Sequence, residues 1–479
     1  MKKLTSFLLC LALVFSLAAC GNKAAPGTAA EASGSAAAEA SAARSAAEDA
    51  ESATGASDGA QSQATEAPAP GYTLDRVVVL SRHNIRSPLS GSGSALEELT
   101  PHPWFAWTSN ASELSLRGGH LETMMGQYFR LWLEQEGLFP ENYRPEEGEV
   151  RIYANAKQRT IATARYFSAG LLPVGDVDIE THTAYDEMDP TFEPALHFLT
   201  AEYAEDIRSQ VAELGGTEGM KGIQAALRPS IELLMDTADV NESEVYQSGK
   251  FGDLLEDETS LVLELGHEPA MNGPIKTATS LADALTLQYY EESDEEKAAF
   301  GHQLTREDWV QIHSIVDTYT EMLFTQPLVC VNVAHPLLQE LRYELGAEHR
   351  KFSFLCGHDS NVASVLASLG AEEYSLPETV EPKTPIGVKL MFERWVSGDG
   401  AAFYAVNLVY QTTDQLRERT PLSLQEAPKK VPVRFKGVET NEDGLIAEAN
   451  LLALLDGAID AYDALAEQYG VEHEAKGAA

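Results

Sequence analysis

Leu80-Ser81-Arg82-His83-Asn84-Ile85-Arg86-Ser87-Pro88 follows the apolar run Val77-Val78-Val79-Leu80. A continuous apolar run of that length predicts a buried strand. The chain then leaves the sheet with two arginines around a histidine. In a regular strand Arg82 and His83 would point to opposite faces. For Arg82, His83 and Arg86 to converge the backbone must coil, and Pro88 disfavours a regular continuation. Fixed guanidiniums bind phosphate oxygens in pairs, and an imidazole beside them supplies a nucleophile.

Working outward, two more strand ends share this form. Phe352-Ser353-Phe354-Leu355-Cys356 predicts a strand that runs into Gly357-His358-Asp359-Ser360-Asn361. Val362, Val365, Leu366 and Leu369 then share a helical face that Gly370 ends. His358 and Asp359 therefore stand where a strand feeds a helix, the place where open α/β sheets bind ligands. Val150 to Ala154 alternates like a strand, and Asn155 to Thr160 leads into a helical run through Phe167. Arg159 sits at that helix N-terminus, where free amides and the dipole favour anions.

Leu121, Met124, Met125, Tyr128 and Trp132 predict a core-facing helix ended by Gly137, with His120 near its start as a surface or capping group. Met188-Asp189-Pro190 breaks the pattern. From there to about Phe324 the segments 203–214, 223–234, 281–290 and 309–324 are amphipathic, which predicts a helical insertion capping the sheet. Within it Gly266-His267-Glu268-Pro269 is a loop. Val388 to Phe392 and Tyr404 to Tyr410 alternate around the turn 397–400, adding an antiparallel hairpin. A closing helix spans 450–465. The fold class expected is α/β, a mixed central sheet flanked by helices with a helical cap.

The N-terminus reads differently. Lys2 and Lys3 precede an apolar stretch, Phe7 to Leu17, and Leu17-Ala18-Ala19-Cys20 closes it, as in an export signal. The ending resembles a bacterial lipoprotein cleavage site, which would leave Cys20 lipidated and the protein anchored to the extracytoplasmic side of the cell membrane. From Gly21 to Pro70 there is no Val, Ile, Leu, Met, Phe, Tyr or Trp. Such a stretch cannot bury enough apolar surface to offset chain entropy and is expected to be a disordered tether. The organisation expected is thus a leader (1–20), a tether (21–70), a first catalytic part (71–187), a cap (188–325) and a second catalytic part (326–479). The loop 91–94, Gly-Ser-Gly-Ser, would border the pocket.

Lys and Arg number 34 against 74 Asp and Glu, a formal net charge of -40. That argues against a nucleic-acid partner, which needs a basic face. In so acidic a chain, clustered arginines are informative. Of the four cysteines, Cys10 and Cys20 lie in the leader, and Cys330 and Cys356 sit in apolar surroundings expected to hold free thiols. No metal-binding motif accompanies the His-Asp pair.

The pair Arg-His-x-x-Arg-x-Pro and Gly-His-Asp, with the intervening arginine, resembles the histidine acid phosphatases, within the fold class of the phosphoglycerate mutases, over nearly all of 72–455. Ser81-Arg82-His83-Asn84, Tyr153-Ala154-Asn155-Ala156, Met188-Asp189-Pro190-Thr191-Phe192, Gly273-Pro274-Ile275-Lys276, Thr384-Pro385-Ile386-Gly387 and Phe392-Glu393-Arg394-Trp395 are similar to the bacterial glucose-1-phosphatases and the related periplasmic phytases. The disulfides of those relatives have no counterparts here. The resemblance implies His83 as phosphoryl acceptor and Asp359 as proton donor. It implies Arg82, Arg86, Arg159 and His358 as phosphate ligands, Glu268 as a substrate-facing residue, and no cofactor or metal. The activity expected is hydrolysis of a small phosphate ester, such as glucose 1-phosphate, through a phosphohistidine. The alternatives are a phytase, a tethered lipoprotein that binds phosphate esters without turnover, and a mutase-like transferase, the last disfavoured for an exported chain. Burial or a phosphate dianion is expected to raise the pKa of Asp359, and neighbouring cations to lower that of His83.

Overall fold

The computed structural model describes residues 71–89 and 95–471. The expected leader, the lipidation at Cys20, the tether and the loop 91–94 lie outside the described residues. Ten strands form in chain order: β1 (Tyr72–Arg82), β2 (Val150–Ala154), β3 (Ile179–Glu180), β4 (Ser260–Val262), β5 (Ala270–Asn272), β6 (Phe352–Gly357), β7 (Lys389–Ser397), β8 (Ala402–Tyr410), β9 (Lys429–Pro432) and β10 (Ile446–Ala447).

Eight of them make one sheet in the order β10-β8-β7-β1-β6-β2-β3, with β9 also paired to β8. β6 lies between β1 and β2, parallel to both, while β7 runs antiparallel to β1. The sheet is therefore mixed and flanked by helices, as expected. β4 and β5 form a separate antiparallel pair that periodicity did not reveal, because each is only three residues long.

Both faces of β1 are covered, which is why its apolar run is continuous. Val77 and Val79 join one core with Leu121, Met125, Phe129 and Phe167. Val78 and Leu80 join the other with Leu337, Leu341, Val362, Leu366 and Leu455. On the first face the rings of Phe167 and Phe354 stack at 4.2 Å, and Phe129 meets Phe167 edge-on at 5.3 Å. The helices Leu116–Gln135 and Gln158–Leu171 cross closely there. A Cβ at Gly126 would lie 2.2 Å from the Phe167 carbonyl oxygen, and one at Gly170 would lie 2.2 Å from that of Thr123. Only glycine allows backbones to approach so far.

The predicted amphipathic segments appear as helices Ala201–Glu213, Met220–Thr237, Pro274–Glu291 and Arg306–Thr320, the last running on as a π turn over Glu321–Thr325. Their apolar stripes, including Ile207, Leu227, Leu281 and Ile312, are buried. Ser115 caps the helix Leu116–Gln135 by accepting from the Gly118 amide, and His120 is exposed on that helix's surface. Helices Pro327–Val333 and His335–Gly346, each with proline in its first turn, precede β6. Cys330 and Cys356 are buried free thiols. No helix among the described residues is long and apolar enough to cross a membrane.

Candidate active site

Three parallel strands end side by side, and each delivers one polar segment. Arg82 pairs with Gly357 across β1 and β6, and Ala154 pairs with Cys356 across β2 and β6. The ladder continues one step further on each side. The His83 amide donates to the Gly357 carbonyl, and the Asn155 amide donates to that of Cys356. His83 and Asn155 are thus fixed at the strand ends by backbone hydrogen bonds, and the His358 amide is held by the Asn361 side chain, to whose Oδ1 it donates.

Beyond Arg82 the chain coils, as the proline predicted. His83 Nδ1 lies 2.9 Å from the Asn84 carbonyl oxygen. A carbonyl only accepts, so Nδ1 carries the proton and Nε2 keeps its lone pair. Asn84 is held in turn. Its Nδ2 donates to Glu122 Oε2 at 2.8 Å, and its backbone amide donates to Thr163 Oγ1. Glu122 pairs with Lys389 at 2.7 Å, both side chains fully buried. Gly387 packs over Asn84 at φ +69°, where a Cβ would sit 2.7 Å from Asn84 Nδ2. Only glycine suits both constraints.

Arg82 is buried between two carboxylates. Its Nη1 donates to Glu381 Oε2 at 2.6 Å and to the Thr384 carbonyl, and its Nη2 lies 3.2 Å from Asp359 Oδ2. Arg86 places Nη2 between both oxygens of Asp283, at 3.2 and 3.1 Å. Arg159, on the first turn of helix Gln158–Leu171, brings Nη2 to 3.4 Å from His358 Nδ1. In all three arginines Nε is buried without a hydrogen-bond partner among the described residues. Such donors are costly to bury unless an anion uses them.

His358 is oriented by Asn155, whose Nδ2 lies 2.7 Å from His358 Nε2. Asn155 Oδ1 already accepts from the Asp189 amide, so Nδ2 must be the donor and Nε2 the acceptor. In the neutral ring the proton then sits on Nδ1, so Nδ1 and the Arg159 Nη2 group 3.4 Å away are two donors side by side and make no hydrogen bond to each other. The two histidine rings stand 5.5 Å apart, edge to face.

Charge follows from this packing. Burial first, then Arg159, His358, Arg86 and Arg82, holds His83 well below the ordinary imidazole value, so its ring is neutral. Burial also lowers His358, helped by Arg159. Arg159 is drawn down to about 10 by burial and by Arg86, and remains a cation at neutral pH.

Asp359 departs from expectation. Burial does push its carboxyl up, but Arg82, His358 and Arg86 outweigh it, and the group lies below the usual carboxylate range. Its Oδ1 also accepts from the Ser360 amide at the helix N-terminus. Asp359 is therefore ionised, paired with Arg82. Glu268 lies on the turn between β4 and β5. That turn is pinned by two backbone bonds to Leu196, from Gly266 and to His267. Glu268 is exposed at the surface but crowded by surrounding protein, and this desolvation, then Glu193 and Asp359, raises its carboxyl while Arg159 lowers it, which puts Glu268 within electrostatic reach of the cluster.

The structure therefore brings together Arg82, His83, Arg86, Arg159, His358 and Asp359, with Glu268 at the edge. It adds residues that motif reading passed over: Asn155, Asp283, Glu122, Lys389 and Glu381. Asn155 lay inside a quoted segment, but nothing in its spacing marked it as a partner of His358. No group of three or more His, Cys, Asp or Glu side chains among the described residues is placed to hold a metal ion.

The chain matches the family model of the histidine phosphatase superfamily, branch 2, over residues 73–411. It is 36% identical over 377 residues to a glucose-1-phosphatase of Providencia rettgeri, covering 78% of this chain and 88% of the relative. It is 35% identical over 392 residues to a glucose-1-phosphatase of Salmonella typhimurium, covering 81% and 92%. The apo phytase of Hafnia alvei superposes with a TM-score of 0.75 at 27% identity, covering 83% of this chain and 99% of that one. A neutral histidine among three arginines at the ends of parallel strands is the arrangement such an enzyme needs, and the chain belongs to the histidine phosphatase superfamily, branch 2, as a phosphoric monoester hydrolase of the histidine acid phosphatase type.

Proposed function

We propose that this enzyme hydrolyses sugar phosphates such as glucose 1-phosphate, through a phosphoryl group carried on His83 Nε2. The observation that carries the reading is the His83 Nδ1 bond to the Asn84 carbonyl, which leaves Nε2 as a lone pair beside three guanidiniums. Arg82, Arg86, Arg159 and His358 hold the phosphate oxygens and balance charge as it develops. Nε2 attacks phosphorus in line, the P–O bond to the alcohol breaks, and water later cleaves the P–N bond to release phosphate. Binding alone would need neither an activated imidazole nor a carboxylic acid.

The leaving alkoxide needs a proton. Asp359 is ionised before substrate arrives. A phosphate dianion placed beside it raises its pKa by like-charge repulsion, and a monoanion brings a proton of its own. Either way the reactive complex holds one proton shared between the ester and Asp359, and Asp359 passes it to the leaving oxygen. Phosphate esters lose their second proton near pH ~6, so the rate falls above that value.

The segment 188–325 is the cap that shapes the alcohol side of the pocket, with Glu268 facing the substrate. Glu268 disfavours a highly anionic alcohol, which supports a sugar phosphate over inositol hexakisphosphate. The phytase reading draws support from the likeness to phytases such as the Hafnia alvei enzyme. Cys20 carries a lipid anchor on the extracytoplasmic face, and residues 21–70 tether the enzyme to it, on the strength of the Leu-Ala-Ala-Cys ending and the following stretch without large apolar residues. Steady-state rates on glucose 1-phosphate, inositol hexakisphosphate and p-nitrophenyl phosphate test the substrate. The sugar phosphate is expected to give the highest kcat/KM of the two natural esters, and a strong preference for inositol hexakisphosphate would overturn the assignment. Labelling with radioactive palmitate, lost in Cys20→Ala, tests the anchor.

A further inference from the structure

We propose that Asp283 is a specificity-determining residue, a carboxylate that holds Arg86 and limits the site to esters carrying a single phosphate group. This rests on the phosphomonoesterase reading above and names the residue that restricts its substrate class.

Arg82 already faces Glu381 and Asp359. Arg86 faces Asp283, carried on helix Pro274–Glu291, with Nη2 within 3.2 Å of both carboxylate oxygens. Asp283 is close enough to raise Arg82 as well. Of the three arginines, only Arg159 has no carboxylate within ion-pair distance among the described residues. Three carboxylates thus face the three guanidiniums, so the pocket carries no surplus positive charge for a second phosphoryl group.

Among the described residues the rim is largely acidic. Arg159 feels Asp359, Glu268 and Asp186, and Glu268 feels Glu193. Of the two lysines nearby, Lys276 lies over the Tyr319 ring at 5.2 Å, and the Lys157 ammonium is 3.6 Å from the Asp186 carboxylate and donates to its backbone carbonyl. A neutral alcohol loses nothing against these groups. A polyphosphorylated alcohol bound with one phosphate on Arg86 brings its further anionic groups towards the Asp283 carboxylate beside that arginine, which repels them.

The competing explanation is that Asp283 only orients Arg86. In that case its loss weakens every phosphate ligand alike. The test is competitive inhibition of p-nitrophenyl phosphate hydrolysis by inorganic phosphate and by myo-inositol hexakisphosphate, in the wild type, Asp283→Asn and Asp283→Glu. Asn can still accept a hydrogen bond from Arg86 but carries no charge. Asp283→Asn is expected to improve inhibition by the hexakisphosphate about tenfold more than inhibition by phosphate, the scale of one unit charge removed a few ångströms from an anion near a protein surface. Asp283→Glu should keep the wild-type ratio. Equal changes for both inhibitors in Asp283→Asn, or a changed ratio in Asp283→Glu, would overturn the proposal. Failure of the wild type to hydrolyse any ester would instead overturn the phosphomonoesterase reading.

Discussion

Asn155 donates its side-chain amide to His358 Nε2 at 2.7 Å, joining the ends of two neighbouring parallel strands, β2 and β6. The bond fixes which imidazole nitrogen is left to face Arg159. Asn155→Ala should therefore lower kcat/KM about 10–100-fold, the loss expected when one buried orienting hydrogen bond worth ~1.4–2.7 kcal/mol in the transition state is removed. Inhibition by inorganic phosphate should weaken with it. Unchanged kinetics in a folded Asn155→Ala protein would show that His358 needs no such support.

The fully buried Glu122–Lys389 pair lies beneath Asn84, and so beneath His83. Removing one partner strands a charge in the core, at a cost of about 3–5 kcal/mol. Lys389→Met should lower the urea midpoint accordingly, and adding Glu122→Leu should recover much of the loss. Turnover should remain impaired in the double variant, because Glu122 no longer holds Asn84. A double variant no more stable than Lys389→Met would remove the isolated charge as the explanation.

Acid stability has a clear sign. Hydrogen bonds from Lys351, Tyr143 and the Glu146 amide hold Glu149 down to about 2. Arg151, aided by His182, holds Glu180 to about 2 against burial. Both are depressed below the unfolded value of ~4.3, so their contribution is present above that pH and is lost as the pH falls towards 2. The urea midpoint should drop between pH ~4.5 and 2, and Glu149→Gln should flatten that drop. An identical slope in Glu149→Gln would show that its ionisation does not matter to folding.

For catalysis, the rate should fall as pH rises above ~6, where the complex loses its shared proton. Asp359→Asn should slow alkyl phosphates far more than p-nitrophenyl phosphate, whose leaving group needs little protonation. Equal losses on both would remove Asp359 from the donor role.

Much of this site was legible because each strand end carries its chemistry in a continuous stretch. The apolar run 77–80 had to be buried on both faces, and 352–356 repeats the pattern, so the polar segments that follow had to meet at the sheet edge. What stayed hidden came from distant segments. Asp283 interrupts an otherwise buried helix face, and only the fold shows that Arg86 lies opposite. Glu381 sits in an irregular segment with no periodicity to place it against Arg82. The charge state of Asp359 depends on placement too. Burial alone favours the neutral acid, but Arg82 at 3.2 Å reverses the balance until an anion enters.

The most direct test of the central claim is to mix enzyme with ³²P-labelled glucose 1-phosphate, quench in alkali within milliseconds, and map the label by mass spectrometry. Nucleophilic attack by His83 Nε2 predicts an alkali-stable, acid-labile phosphohistidine on the peptide containing residue 83, absent in His83→Ala. Label on another residue, or steady turnover by His83→Ala, would contradict the account.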